Sequence, residues 1–110
     1  MNKYGNRKTE ADGMLFDSQK EARRYQELRF LTRAGLISDL QLQVPFELIP
    51  AQKKNGKVIE RACKYVADFV YYDKQIEETV VEDAKGCRTD VYKIKKKLML
   101  QKYGIVVKEV

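Results

Sequence analysis

Apolar residues first recur at helical spacing between residues 18 and 34. The apolar positions in this segment are Ala22, Tyr25, Leu28 and Leu31. Ser18 and Glu21 are spaced to form a capping box at its start, and Gly35 follows as a C-terminal stop. The pattern therefore predicts a helix from Ser18 to Ala34.

Apolar and polar residues alternate from Leu40 to Leu48, which is the period of a β-strand. Pro45 lies inside this run and favours an edge strand or a bulge, because proline cannot donate a ladder hydrogen bond. Asn55-Gly56 then marks a hairpin turn. We expect two further strands, over about residues 58–72 and 79–85.

A basic helix is predicted from Thr89 to Tyr103, before Gly104, and the segment Ile105–Val107 should begin a last strand. The apolar residues near one face of this helix are Val91, Ile94, Leu98 and Leu100. The element order is therefore αβββαβ, an α/β fold with a mixed central sheet flanked by helices. Because a helix joins the last two strands, these strands should be parallel, through a right-handed crossover.

The 110 residues, 44% of them hydrophobic, are enough for one domain. We expect a flexible basic and polar lead over residues 1–15 and a single domain over residues 16–110. No apolar run approaches the roughly 20 residues that a membrane span needs, so no membrane partner is expected. The polar start and the two isolated cysteines favour a cytoplasmic protein.

The charge of the chain is unevenly distributed. The formal net charge is +6, but residues 34–84 carry −3 and residues 85–102 carry +6. A basic segment of this kind favours an anionic partner such as nucleic acid. The chain has no histidine, which excludes a Ser-His-Asp triad and a histidine metal cluster. Any catalysis must therefore use carboxylates, lysines and a hard cation.

Two aspartates lie in strand-like segments, where aspartate is depleted. We expect residues 73–78 to connect the two strands, with Tyr72 opposite Thr79. In that register, Asp68 lies directly opposite Asp83. Two carboxylates so close destabilise the sheet unless one is protonated or a cation lies between them. Mg²⁺ or Mn²⁺, which prefer oxygen ligands, would resolve this repulsion.

Simpler explanations stay open for each of these acids. The capping box alone explains Glu21. Asp68 would be a solubility device if its strand lies at the edge of the sheet and the side chain points to water. Glu82 alternates to the opposite face from Asp83, where we expect it to be exposed or salt-bridged. It would replace Asp83 only if the register shifted by one residue.

An acid on one strand, an acid-x-Lys triplet on the next and a helix after it resemble the PD-(D/E)xK nuclease superfamily. Asp68 resembles its first acid, and Asp83 with Lys85 resembles its (D/E)xK triplet. Glu21 matches the acid that often lies on the preceding helix. Ala67 stands where the name-giving proline would be. Nearly the whole chain is also similar to a small phage and prophage family of predicted nucleases, through residues 16–21, 65–69 and 81–86.

The resemblance implies a restriction-endonuclease-like core and metal-dependent hydrolysis of DNA phosphodiester bonds in a bacterial host's cytoplasm. The ligands that it implies for Mg²⁺ or Mn²⁺ are Asp68, Asp83, the backbone carbonyl of Ala84 and, as an additional ligand, Glu21. Lys85 should stay protonated beside two acids, where it would orient the attacking water and stabilise charge at phosphorus.

The basic helix should bind the phosphate backbone. The lysines expected to do so are Lys93, Lys95, Lys96, Lys97 and Lys102. The resemblance to Holliday-junction resolvases favours branched or recombination intermediates as substrates, and symmetric cutting favours a homodimer. The alternatives are a non-catalytic nucleic-acid-binding phage protein that keeps the nuclease fold, and a phage assembly or regulatory protein.

Overall fold

A computed structural model gives the structure of the protein and describes residues 8–84 and 88–110. Within these residues the chain forms eight strands and two helices. In chain order they are β1 (Thr9–Ala11), β2 (Met14–Phe16), α1 (Gln19–Arg33), β3 (Ile37–Ile49), β4 (Gln52–Lys54), β5 (Lys57–Glu60), β6 (Cys63–Asp73), β7 (Glu78–Asp83), α2 (Asp90–Tyr103) and β8 (Lys108–Glu109).

A four-stranded sheet forms the centre of the fold, with the strand order β3-β6-β7-β8. The first three strands are antiparallel, and β8 runs parallel to β7 after the crossover through α2. The prediction of a mixed central sheet with a parallel last pair is therefore confirmed. β3 lies at an edge of the sheet, as Pro45 predicts. The pairs β1–β2 and β4–β5 form separate hairpins.

Both helices begin at a side-chain N-cap, of which Ser18 was predicted. The Ser18 hydroxyl accepts a hydrogen bond from the Glu21 N–H at 3.1 Å, and the Thr89 hydroxyl accepts one from the Tyr92 N–H at 3.1 Å. α2 ends at Gly104, whose φ of 68° lies in the left-handed region that glycine adopts readily. In the part of the chain that the structure describes, no helix is long and apolar enough to cross a membrane.

The buried apolar residues form two clusters, one under each helix. One cluster joins the buried face of α1 to Phe69 and Tyr71 of β6. The other joins Tyr92 and Met99 of α2 to Val81 of β7. Val81 pairs with Val70, whose side chain points to the opposite face from its neighbours Phe69 and Tyr71, so the sheet separates these residues. α1 and α2 therefore cover opposite faces of the sheet.

The predicted buried face of α2 is wrong. Tyr92 and Met99 are buried there, and Leu98 is only half-buried. The predicted residues that are instead mostly exposed are Val91, Ile94 and Leu100. Tyr92 prefers the inner face because its ring packs against the sheet while its hydroxyl donates to the Glu109 carboxylate. The unbranched Met99 side chain fills the remaining space.

Two strand boundaries also differ from the predictions. The expected strand over residues 58–72 is interrupted, since β5 ends at Glu60 to pair with β4 and β6 begins at Cys63. The last strand does not begin at Ile105–Val107. The Ile105 N–H bonds to the Met99 carbonyl, which makes Ile105 part of the helix C-terminal motif. Sheet pairing therefore starts only at Lys108.

Part of the expected flexible lead is structured. Residues 1–7 lie outside the described residues, but β1 and β2 form a hairpin whose Ala11 and Phe16 are buried against α1. Its turn contains Asp12 and Gly13, both with positive φ, which suits a two-residue hairpin. The Asp12 carboxylate accepts a hydrogen bond from the Tyr25 hydroxyl at 3.1 Å, which fastens the hairpin to α1.

Candidate active site

The two strand aspartates occupy neighbouring positions at the end of the β6–β7 ladder. Tyr72 pairs with Thr79, as predicted, and this register continues up to the residue before Asp83. Asp68 and Asp83 are the next residue on each strand. Both are almost completely buried, with 1% and 0% exposure. Carboxylates in such surroundings need polar partners, and those partners identify the site.

Asp68 is bonded directly to the segment that follows Asp83. Its Oδ2 accepts a hydrogen bond from the backbone N–H of Ala84 at 2.8 Å. Ala84 is the middle residue of the acid-x-Lys triplet, so this bond joins the β6 acid to the residue that follows Asp83, the last residue of β7. Lys85, the last residue of the triplet, lies outside the described residues. Its predicted role stays a prediction.

The side-chain amide of Gln43 bridges the carboxylates of Glu21 and Asp68. The Gln43 Nε2 donates to Glu21 Oε2 at 2.9 Å and to Asp68 Oδ1 at 3.2 Å. Ser18 binds only the backbone N–H of Glu21. The cap therefore explains the position of the Glu21 backbone, whereas the carboxylate belongs to the group around Asp68.

Gln43 has an unusual backbone for a residue in a strand. Its φ of 52° lies in the left-handed region, which costs a non-glycine residue about 1–2 kcal/mol. The pairs on either side of it, formed by Leu42 and Val44 with β6, are intact. A left-handed residue at this point re-aims the side chain toward the acids, and such strain clusters at functional sites.

A pocket of about 480 Å³ opens over this group, lined by Glu21, Gln43, Leu42, Asp17 and β2. Gln43 itself is exposed. The pocket therefore reaches Glu21 and Gln43, whereas Asp68 lies buried behind them. Sequence reasoning missed Gln43 because its position in the alternating strand predicts only an exposed polar residue.

Asp83 has a different set of partners. The Tyr65 hydroxyl donates to Asp83 Oδ2 at 2.8 Å, and Arg88 Nη1 lies 3.8 Å from Asp83 Oδ1. Burial raises the pKa of Tyr65, and the negative charges of Asp83 and Asp68 raise it further. The phenol therefore stays protonated and donates at neutral pH. The sequence pattern predicted neither Tyr65 nor Arg88 as a residue of the site.

Glu82, the residue before Asp83, is fully buried in an ion pair on the α1 side. Arg24 binds it through Nε to Oε1 at 2.8 Å and through Nη2 to Oε2 at 2.7 Å, and Tyr71 donates its hydroxyl. The hydrogen bond to Glu82 raises the pKa of Arg24. The expectation that Glu82 is salt-bridged is confirmed. Since Glu82 is committed to Arg24, the register alternative that would place it in the site finds no support.

The donor chemistry of the site fits a hard divalent cation. Within residues 8–84 and 88–110, no group of three or more His, Cys, Asp or Glu surrounds a common point as metal ligands. Asp68 is instead joined to Glu21 by Gln43, and to the residue after Asp83 by a backbone amide. All these side chains offer oxygen, the ligand that Mg²⁺ and Mn²⁺ prefer. Rotation of the Gln43 amide would add another oxygen.

Three of the five predicted DNA-binding lysines lie together. A pocket of about 490 Å³ on the α2 side is lined by Lys93, Lys96 and Lys97 together with Arg88 and Glu109. Lys95 and Lys102 are not among its lining residues, and Lys102 lies over the Tyr103 ring at 5.6 Å. The basic surface is therefore centred on the half of α2 that is nearer to Asp83.

Comparison with known proteins identifies a family but not an activity. No curated protein and no solved structure matches the chain. One family model, described as "Protein of unknown function (DUF1064)", matches residues 1–109. That description names no substrate, cofactor or partner. Because the match covers almost every residue, the chain belongs to this DUF1064 family.

Proposed function

We propose that the protein is a metal-dependent DNA endonuclease of the PD-(D/E)xK type that cuts branched or recombination intermediates. The observation that carries this proposal is the hydrogen bond from the Ala84 N–H to Asp68 Oδ2. It supports a single site because it joins the β6 acid to the residue that follows Asp83 of β7. Gln43 adds Glu21 to the same group.

In this proposal, Asp68 and Asp83 hold Mg²⁺ or Mn²⁺ with help from Glu21 and the Ala84 carbonyl. A bound divalent cation supplies Lewis-acid stabilisation of charge on the scissile phosphate. The hydrogen bond from the Tyr65 hydroxyl fixes one oxygen of Asp83, so the whole carboxylate keeps one orientation. Gln43 restrains the Glu21 and Asp68 carboxylates in the same way.

In this proposal, the basic surface of α2 binds the DNA backbone. Residues 85–102 carry a net charge of +6, and this segment begins two residues after Asp83. Contacts of lysine and arginine with phosphates are independent of sequence and weaken steeply with salt. A domain of this size that cuts a junction symmetrically needs two active sites, so we propose a homodimer as the active form.

The test is cleavage of labelled four-way junctions, single strands and linear duplex with Mg²⁺ or Mn²⁺. We expect metal-dependent cutting, preferentially of the junction, that is lost in Asp83→Asn while DNA binding is retained. Glu78→Gln is the matched control, because Glu78 is an exposed acid on the same strand. This variant should cut at the rate of the unchanged protein.

Two outcomes would overturn the proposal. Binding without cutting under either metal would indicate a non-catalytic nucleic-acid-binding protein that keeps the nuclease fold. No affinity for DNA even at low salt would indicate an assembly or regulatory role. Light scattering of the protein with and without junction tests the dimer separately.

A further inference from the structure

One carboxylate oxygen on the α2 side is the focus of three donors. Glu109 Oε2 accepts from the Tyr92 hydroxyl at 2.7 Å and lies 3.2 Å from Arg88 Nε and 3.3 Å from Lys96 Nζ. Tyr92 and Lys96 are four residues apart in α2, so they share one face of the helix. The Tyr92 hydrogen bond and the two positive charges lower the pKa of Glu109. The group is therefore an anion held by convergent donors.

The surroundings of this oxygen carry more positive than negative charge. Arg88, Lys93, Lys96 and Lys97 line the pocket of about 490 Å³ in which Glu109 is the one acid among the lining residues that the structure describes. The side chains of Arg88 and Lys96 are 26% and 37% exposed, so solutes can reach their donors. Arginine and lysine donors aimed at one oxygen are the chemistry that binds phosphate.

This pocket adjoins the candidate active site. β8 pairs in parallel with β7, and Glu109 is the partner of Asp83, on a strand about 4.8 Å away. Arg88 spans the two, because its Nε lies beside Glu109 and its Nη1 beside Asp83. A phosphate bound in the pocket would therefore lie next to the phosphate that Asp83 serves.

We infer that Arg88, Tyr92 and Lys96 form a binding site for one backbone phosphate of nucleic acid, in which Glu109 stands as an internal anion. Glu109 holds the three donors in place in the free protein and gives way to the phosphate when DNA binds. The inference rests on the proposed function, since it names the phosphate site of the same centre. The competing explanation is a purely structural ion cluster that fastens β8 to α2.

The two explanations predict opposite effects of Glu109→Gln. This substitution keeps the shape and one accepting oxygen, but it removes the charge that competes with the phosphate. If Glu109 competes, DNA binds more tightly to the variant, and the gain depends on Arg88. If the cluster is only structural, the affinity for DNA changes no more in Glu109→Gln than in a variant that lacks another acidic residue.

The experiment is fluorescence anisotropy with a short DNA duplex in EDTA, where no cutting occurs. Glu109→Gln should lower the Kd about threefold to tenfold, which is up to about 1.4 kcal/mol. The control Glu78→Gln should change the Kd by less than about twofold. In an Arg88→Gln background, the gain from Glu109→Gln should be smaller, because only Tyr92 and Lys96 remain to be released.

A second variant keeps the test informative if Glu109→Gln does not fold. Lys96→Gln, at the surface of α2, should reduce the slope of log affinity against log salt by about one. Lys57→Gln, in the exposed β5 strand, should leave that slope unchanged. An unchanged slope for Lys96→Gln, or equal tightening by Glu109→Gln with and without Arg88, would overturn the inference.

The result is separable from that of the nuclease assay because it uses no metal. Metal-dependent cutting together with unaltered affinity of Glu109→Gln would refute the phosphate site alone. Tighter binding by this variant in a protein that never cuts DNA would refute the nuclease alone.

Discussion

Glu82 and Asp83 are consecutive residues of β7, both fully buried, yet their surroundings differ. Glu82 is held by two guanidinium hydrogen bonds from Arg24 and one from Tyr71. Asp83 is bonded to the neutral Tyr65 hydroxyl and has Arg88 at the longer distance of 3.8 Å. Burial alone therefore does not mark a carboxylate as functional. The partners decide whether its charge is already neutralised.

The Arg24–Glu82 ion pair also helps to position a residue of the candidate site. Arg24 lies three residues after Glu21 on α1, so the two side chains share one side of the helix. The bond from Arg24 to Glu82 fixes that side against β7. Glu21 is thereby held near Gln43 and Asp68. We expect substitutions in the Arg24–Glu82 pair to reduce stability and those around Asp68 to reduce activity.

The largest expected effect is the loss of stability when the Arg24–Glu82 ion pair is broken. Arg24→Met removes the charge partner of a buried carboxylate, which costs about 3–5 kcal/mol in comparable pairs. We expect a loss of free energy of unfolding in this range, measured by urea denaturation at pH 7. A loss below about 1 kcal/mol would mean that the pair does not stabilise the fold.

The second prediction concerns Asp68 in the candidate active site and the rate of DNA cleavage. Asp68→Asn should slow metal-dependent cutting by at least about 100-fold, or roughly 2.7 kcal/mol in the barrier. Its free energy of unfolding should fall by much less than that of Arg24→Met, because removing one of several close negative charges offsets the loss of one hydrogen-bond acceptor. Denaturation and cleavage rates measured on the same samples check this. A stability loss as large as that of Arg24→Met would make Asp68 a structural residue.

A third, smaller effect is expected from Gln43→Glu, which places a third carboxylate between Glu21 and Asp68. Like charges should lower the free energy of unfolding in EDTA by about 1–2 kcal/mol, and Mn²⁺ should restore it. Gln41→Glu, an exposed position two residues away on β3, is the control. Thermal denaturation with and without Mn²⁺ checks this prediction. Equal behaviour of the two variants would contradict a special role for Gln43.

The smallest effect is the pH dependence contributed by Glu109. Since its pKa is lowered in the folded protein, its contribution to stability is present above the ordinary glutamate pKa of 4.5 and disappears as the pH falls below it. The stability difference between the unchanged protein and Glu109→Gln should therefore be constant from pH 7 to about 5 and vanish in stronger acid. Urea titrations across this range measure it. A difference that grows on acidification would have the wrong sign.

The fold was predictable where local chemistry and periodicity agree. The Ser18 cap, the spacing of the apolar residues of α1 and the Tyr72–Thr79 register are each determined by neighbouring residues. The inner face of α2 was not, because Val91 and Ile94 are as apolar as the residues that are buried. Only the packing against the sheet and the bond to Glu109 select Tyr92.

The candidate site was predictable only as a set of acids. Asp68 and Asp83 could be predicted because aspartate is unfavourable in strands. Glu21 could be predicted from the resemblance. Gln43 joins Glu21 to Asp68 through a left-handed backbone that no local sequence signal marks. Arg88 follows the triplet in sequence, but its contact with Glu109 depends on the parallel pairing of β8, which is a long-range feature.

The central claim is that Asp68 and Asp83 hold the same cation, whereas Glu82 holds none. Calorimetric titration of Mn²⁺ into the unchanged protein, Asp68→Asn and Asp83→Asn tests it directly. We expect one Mn²⁺ per chain, with a Kd that each single substitution raises at least about tenfold. Unaltered Mn²⁺ affinity in Asp68→Asn or Asp83→Asn, or one unaltered site beside one weakened site, would contradict a shared cation.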